Sequence, residues 1–164
     1  MRKFRTLSGQ HIPNVVEYIK EYINRKDPNE EIDILIGCDS QSFGHKKTVY
    51  GLVVVLHHRT KGEGGRGKGG HVLCHKEIIK PAEKVTPVRL LNEVWKSVEL
   101  ANELTENGIQ KPKFIDIDLN PDPKYRSNKV LREAIGLVEG MGYKARWKHE
   151  GVMATYSANL LARS

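Results

Sequence analysis

Asp39 stands where an isoleucine-rich run, Ile32 to Ile36, gives way to Gly37-Cys38-Asp39-Ser40. A carboxylate at the end of a buried strand has to meet solvent, a base or a cation, because an unpartnered buried charge costs too much to keep. By itself Asp39 reads as the cap of the turn that follows. The chain holds further acids that bear on the choice. Asp116 and Asp118 alternate along Phe114-Ile-Asp-Ile-Asp-Leu119, and Glu93 lies near the start of a helical segment, on the flank of its apolar stripe. Two acids on one face of a short strand repel each other unless a cation, Lys or Arg lies between them, and the question is whether the other acids reach the same place as Asp39.

Basic and soft side chains form a second group. Lys61-Gly-Glu-Gly-Gly-Arg-Gly-Lys-Gly-Gly70 is a glycine-rich basic loop containing Lys61, Arg66 and Lys68. Bare backbone amides and cations both suit phosphate, so the loop reads either as a phosphate contact or as a solvated hairpin. It lacks the Gly-Lys-Ser/Thr ending of a nucleotide-binding loop and opens no helix, which excludes that motif. His57, His58, His71, Cys74 and His75 flank it in a spacing that matches no established zinc pattern, so surface histidines are expected. Further on, Tyr143 to Lys148 alternates apolar residues with Lys144, Arg146 and Lys148, a strand with one basic face.

These side chains need elements to position them. Residues 1–10 read as an irregular lead-in. A helix starts near Pro13, carries Val15, Val16, Ile19 and Ile23 on one face, and stops before Pro28. Strands are predicted over Asp33–Cys38, Thr48–Leu56 and Val72–Ile79, the last two joined by the basic loop. Thr86 and Pro87 then cap and open a helix with Leu91, Val94, Trp95, Val98, Ala101 and Leu104 as its stripe, closed at Asn107-Gly108. A strand over Phe114–Leu119 lies between two helices, which argues for a central place in a parallel section of sheet. A helix from Ser127 to Gly140, the strand Tyr143–Lys148 and a terminal helix over about Val152–Ala162 complete the chain.

With 164 residues, 38% of them apolar, the chain suits one domain, and no run approaches membrane-spanning length. There is no charged-then-apolar leader, and two cysteines, Cys38 and Cys74, read as reduced core thiols, so the expected compartment is the cytosol. A net charge of +7 favours a polyanionic partner without specifying one. Oligomeric state leaves no trace.

The order helix, three strands, helix, strand, helix, strand, helix, with acids on the first strand, the following helix and the fourth strand, resembles the ribonuclease H fold. More narrowly, Ile36-Gly-Cys-Asp-Ser-Gln41, His58-Arg-Thr-Lys-Gly62, Arg89-Leu-Leu-Asn-Glu-Val94 and Ile117-Asp-Leu-Asn-Pro121 resemble, in matching order, the YkuK family of ribonuclease H-like proteins. The resemblance implies an α/β fold: a mixed five-stranded sheet, three antiparallel strands then parallel ones, flanked by helices. It implies a site in which Asp39, Glu93 and Asp118 hold Mg²⁺ or Mn²⁺, with Asp116 as neighbour or alternative to Asp118. A fourth acid is expected on the last helix, where Ala158-Asn159 stands. Asn159 offers a carbonyl oxygen without charge, which would hold a second ion more weakly; His149 or Glu150 are conceivable substitutes. The implied activity is two-metal hydrolysis of phosphodiester bonds in RNA, RNA–DNA hybrid or structured DNA. The other outcome is a nucleic-acid-binding module of the same fold with little or no catalysis. In both, Arg126, Lys144, Arg146, Lys148 and the basic loop are the candidate phosphate contacts.

Overall fold

The computed structural model describes residues 2–62, 64–119, 124 and 127–147. Their elements are β1 (Phe4–Thr6), β2 (His11–Ile12), α1 (Val15–Asn24), β3 (Glu30–Phe43), β4 (Lys47–Thr60), β5 (Gly67–Ile79), α2 (Thr86–Glu106), β6 (Phe114–Ile117), α3 (Ser127–Gly140) and β7 (Ala145–Trp147). The strands form one mixed sheet in the order β2-β1-β5-β4-β3-β6-β7. From β2 through β3 each neighbouring pair is antiparallel, whereas β6 runs parallel to both β3 and β7.

The five strands β5-β4-β3-β6-β7 match the mixed sheet expected from the sequence. The sheet has seven because the lead-in is not irregular: Phe4–Thr6 pairs with Leu73–His75 and folds back on His11–Ile12. Three residues are too short for an alternation to stand out, but they bury Phe4 and Thr6 against the edge of β5.

The three central strands are also longer than their apolar runs. Side chains on β3 and β4 are buried on both sides of the sheet, which gives near-continuous hydrophobic sequence. The ladder does not stop where that hydrophobicity stops. Asp39 to Phe43 pairs with Gly51 to Lys47, aided by the Ser42 and Thr48 hydroxyls 3.0 Å apart, and the hairpin turns at Gly44 with a φ of 57°. Likewise Gly67 to Gly70, expected in a loop, belongs to β5, and the connection is a short turn in which Thr60 N–H donates to Arg66 O at 2.9 Å.

Ile32, Ile34, Ile36 and Cys38 on β3 and Leu52, Val54 and Leu56 on β4 form one core with α1, α2 and α3. Leu35, Val53, Val55 and Cys74 form a smaller cluster with Phe114 and Val72. Asn14 caps α1, its Oδ1 accepting from Glu17 N–H at 3.1 Å. Thr86 does not cap α2: Val85 occupies that position without a side-chain bond, and Pro87 sits in the first turn. Within α2 the buried positions include Val94, Val98, Ala101 and Leu104, while Trp95 points outward, 42% exposed. Glu93 takes an inward place, so the stripe inferred from apolarity alone is rotated by about one position. The expected terminal helix, with Asn159, His149 and Glu150, lies outside the described residues, as do Arg126 and Lys148.

Candidate functional site

β3 and β6 run side by side in the same direction, with Gly37 opposite Asp116. Two residues further along each chain stand Asp39, still inside β3, and Asp118, one residue past β6, so the two half-buried aspartates lie just beyond the last pair of the parallel ladder. Alternation sends Ser40, one residue on, to the opposite side from Asp39, toward α2. There its hydroxyl donates to Glu93 Oε1. Arg89, one helical turn before Glu93, donates from Nη1 to Ser40 Oγ at 2.7 Å and to Ser40 O at 3.1 Å, and its guanidinium lies 3.7 Å from the Glu93 carboxylate. Asp39 Oδ1 accepts the Ser40 backbone N–H at 2.8 Å.

Glu93 is 4% exposed. Burial pushes its carboxyl up to about 8, the charges of Asp39 and Asp118 push the same way, and Ser40 and Arg89 only partly offset them. Glu93 is therefore biased toward its protonated form by burial and by two aspartates whose charge it feels. Among the described residues no three His, Cys, Asp or Glu side chains form a group that could hold a metal ion. In this conformation Glu93 is hydrogen-bonded to Ser40.

Asp116 is placed differently. Its side chain is 1% exposed, and Arg146, directly across from it on β7, grips both oxygens: Nε to Oδ1 at 2.7 Å and Nη2 to Oδ2 at 2.8 Å. The same guanidinium lies 4.8 Å from the centre of the Phe114 ring. Arg146 is thus engaged inside the sheet, and the basic face read from Tyr143–Lys148 reduces, among the described residues, to the exposed Lys144.

The other candidates lie toward the opposite end of β3. Lys68 is 3.4 Å from Glu30, which also bonds His58 Nδ1 at 2.8 Å. A cavity of about 630 Å³ there is lined by Glu31, Arg59, Gly62, Gly64, Gly65 and Lys113. Its two cations are spent on acids of the same wall, Arg59 on Glu31 and Asp33, and Lys113 on Asp33 at 3.1 Å. Lys61 and Arg66 are exposed in the turn. The flanking histidines are tied separately: His58 to Tyr22, His71 to Tyr18, and His75 to the Lys3 carbonyl, at 2.7, 2.8 and 2.9 Å. Cys74 Sγ bonds the Arg5 carbonyl, so these groups serve packing.

Ser40 and Arg89 were not singled out from the sequence. The signal for Arg89 was its place four residues before Glu93; Ser40 gave none beyond adjacency to Asp39.

No described helix is long and apolar enough to cross a membrane. Searches of curated proteins and of solved structures gave no match. A family model described as Ribonuclease H-like matches residues 14–163, nearly the whole chain and all the strands that carry the acids. That match, over a chain whose strands form one mixed sheet, shows that the chain belongs to the ribonuclease H-like family.

Proposed function

We propose that the protein is a Mg²⁺- or Mn²⁺-dependent nuclease whose ion is held by Asp39, Asp118 and Glu93. The observation that carries this reading is that Asp39 on β3 and Asp118 just after β6 follow the last pair of one parallel ladder, with a buried glutamate close enough to feel both. The donor chemistry fits. All the groups are oxygens, and a divalent ion would favour the ionised form of Glu93 against the burial, and the lesser push of the neighbouring aspartates, that raise it. When bound, the ion supplies Lewis acidity and an activated water for attack on a phosphodiester. The chain's own part is to keep Glu93 poised on Ser40 and Arg89, ready to exchange its proton for the ion. Asp116, committed to Arg146, steadies the strand pair rather than binding the ion. Asn159, standing where the resemblance expects a fourth acid, would offer only a neutral oxygen, so a second ion would bind more weakly than the first.

Substrate is RNA, RNA–DNA hybrid or structured DNA, with Lys61, Arg66, Lys68, Arg126, Lys144 and Lys148 as candidate phosphate contacts on a chain of net charge +7. Cleavage of labelled single-stranded, duplex, hybrid and junction substrates with Mn²⁺, abolished by Asp39→Asn and by Asp118→Asn, tests this. The second reading, a binding module without hydrolysis, is favoured by the Ser40 and Arg89 bonds to Glu93 and by Asn159. It predicts salt-sensitive binding and no cleavage with either ion.

A further inference from the structure

Beyond the acids, the β3–β4 hairpin continues as an apolar and basic surface that the family membership does not explain. On β3, Asp39, Gln41 and Phe43 occupy alternate positions and share one face. The register places Gly51 and then Lys76 beside Asp39, Val49 and then Ile78 beside Gln41, and Lys47 beside Phe43. Asp39 and Phe43 are therefore rows of one surface, about 13 Å apart along the strand. Phe43 is 41% and Ile78 51% exposed. Lys47 Nζ lies 5.0 Å from the Phe43 ring centre.

The segment after β5 is tied to this hairpin. Ala82 N–H donates to the His45 carbonyl at 3.3 Å and Glu83 N–H to Thr48 Oγ1 at 2.9 Å. That brings Lys80 and Lys84 to the end already holding Lys46, Lys47 and Lys76. The nearby acids are engaged within the chain: Glu77 with Lys96 at 2.6 Å, Glu83 with the Val85 N–H at 3.1 Å. An apolar protein partner gains nothing from such a cluster of cations. A strand of nucleic acid with unpaired bases uses both halves, since bases stack on an aromatic ring while the backbone follows the lysines.

We propose that Phe43 and Ile78, with Lys46, Lys47 and Lys76, form a stacking platform for single-stranded nucleic acid leading to the Asp39 end of the sheet. The substrate is then unpaired next to the bond presented to the acids, because paired bases offer the ring no face. The direction of the strand toward a reacting bond rests on the proposed nuclease reading; binding at the platform does not.

The test is fluorescence anisotropy in EDTA, with labelled 12-mers of oligo(rU) and oligo(dT) and a blunt 12-base-pair duplex. Phe43→Ala should weaken single-strand binding roughly tenfold and leave duplex binding within about twofold, while Phe43→Trp should restore it. Unlabelled oligonucleotide should also quench the extra indole emission that the Phe43→Trp variant shows over wild type. Comparing oligo(rU) with oligo(dT) assigns the strand type. Equal loss on duplex, no loss on single strands, or binding without any change in the added emission would overturn the proposal. Should wild type bind through Phe43 yet cleave nothing with Mn²⁺, the nuclease reading fails while the platform is supported. Cleavage lost in Asp39→Asn but unaffected by Phe43→Ala on single strands, with unchanged affinity, does the reverse.

Discussion

At its first residues β3 carries Glu30 and Asp33; further along it carries Asp39, and the two ends treat their acids in opposite ways. Hydrogen bonding from His58 holds Glu30 below its ordinary value, with Lys68 adding to it. Burial alone would raise Asp33, but Arg59 and Lys113 outweigh it and hold the group low. Around Asp39 the balance tips: Glu93 meets Arg89 at 3.7 Å, yet burial and the neighbouring aspartates carry it up to about 8. One strand thus shows both fates of a carboxylate in a protein, neutralised by bases for structure or crowded with other acids. The crowded end is the one that a cation would stabilise, and Asp116, two residues from Asp118, marks how sharply the boundary falls.

The largest effect should come from breaking a structural pair. Arg146→Ala leaves the Asp116 carboxylate buried without its guanidinium and should cost about 3–5 kcal/mol in urea unfolding. Arg146→Met combined with Asp116→Leu should recover most of it. A strong loss of nucleic-acid binding in the stable double variant would instead make Arg146 a phosphate contact.

Asp39→Asn or Asp118→Asn should lower Mn²⁺-dependent cleavage at least ~100-fold, about 2.7 kcal/mol of barrier, without destabilising the fold. A drop confined to stability would move these acids to the structural class.

Glu93→Gln sharpens the contrast through pH. A carboxyl raised from 4.5 to about 8 on folding contributes stability that is fully present below about 4.5 and lost as pH rises through about 8. Wild type should therefore lose stability across that window, and Glu93→Gln should flatten the slope. Melting temperatures at pH 5, 6.5 and 8.5 check the sign.

The smallest effect is expected at the other end. Lys113→Ala removes a half-exposed partner of Asp33 while Arg59 remains, and should shift stability by under about 1 kcal/mol.

Much of this arrangement was legible in the sequence because it depends on order and period. Val15 and Ile19 fixed the buried face of α1, and the apolar runs located β3, β4 and β5. The place of Phe114–Ile117 between two helices gave its parallel setting. Strand ends were not legible: the ladder through Ser40–Phe43 and Gly67–Gly70 rests on backbone pairing, which polar residues and glycine do not advertise. Trp95, expected in the stripe, faces outward and Glu93, expected on its flank, is buried, because apolarity ranks side chains, whereas the helix face is set by geometry. Alternation placed Asp116 and Asp118 on one face, but the Arg146 clamp that separates their roles comes from a strand 30 residues away in sequence. The Ser40–Glu93 bond, across 53 residues, was equally invisible.

The central claim is that the three acids accept a divalent ion in exchange for the proton on Glu93. Calorimetric titration with Mn²⁺ at pH 7, repeated in buffers of different ionisation enthalpy, measures both events at once. Binding accompanied by release of about one proton, with the release lost in Glu93→Gln and the binding lost in Asp39→Asn, is the predicted result. Absence of Mn²⁺ binding at millimolar concentration, or binding unchanged in Asp39→Asn, would contradict it.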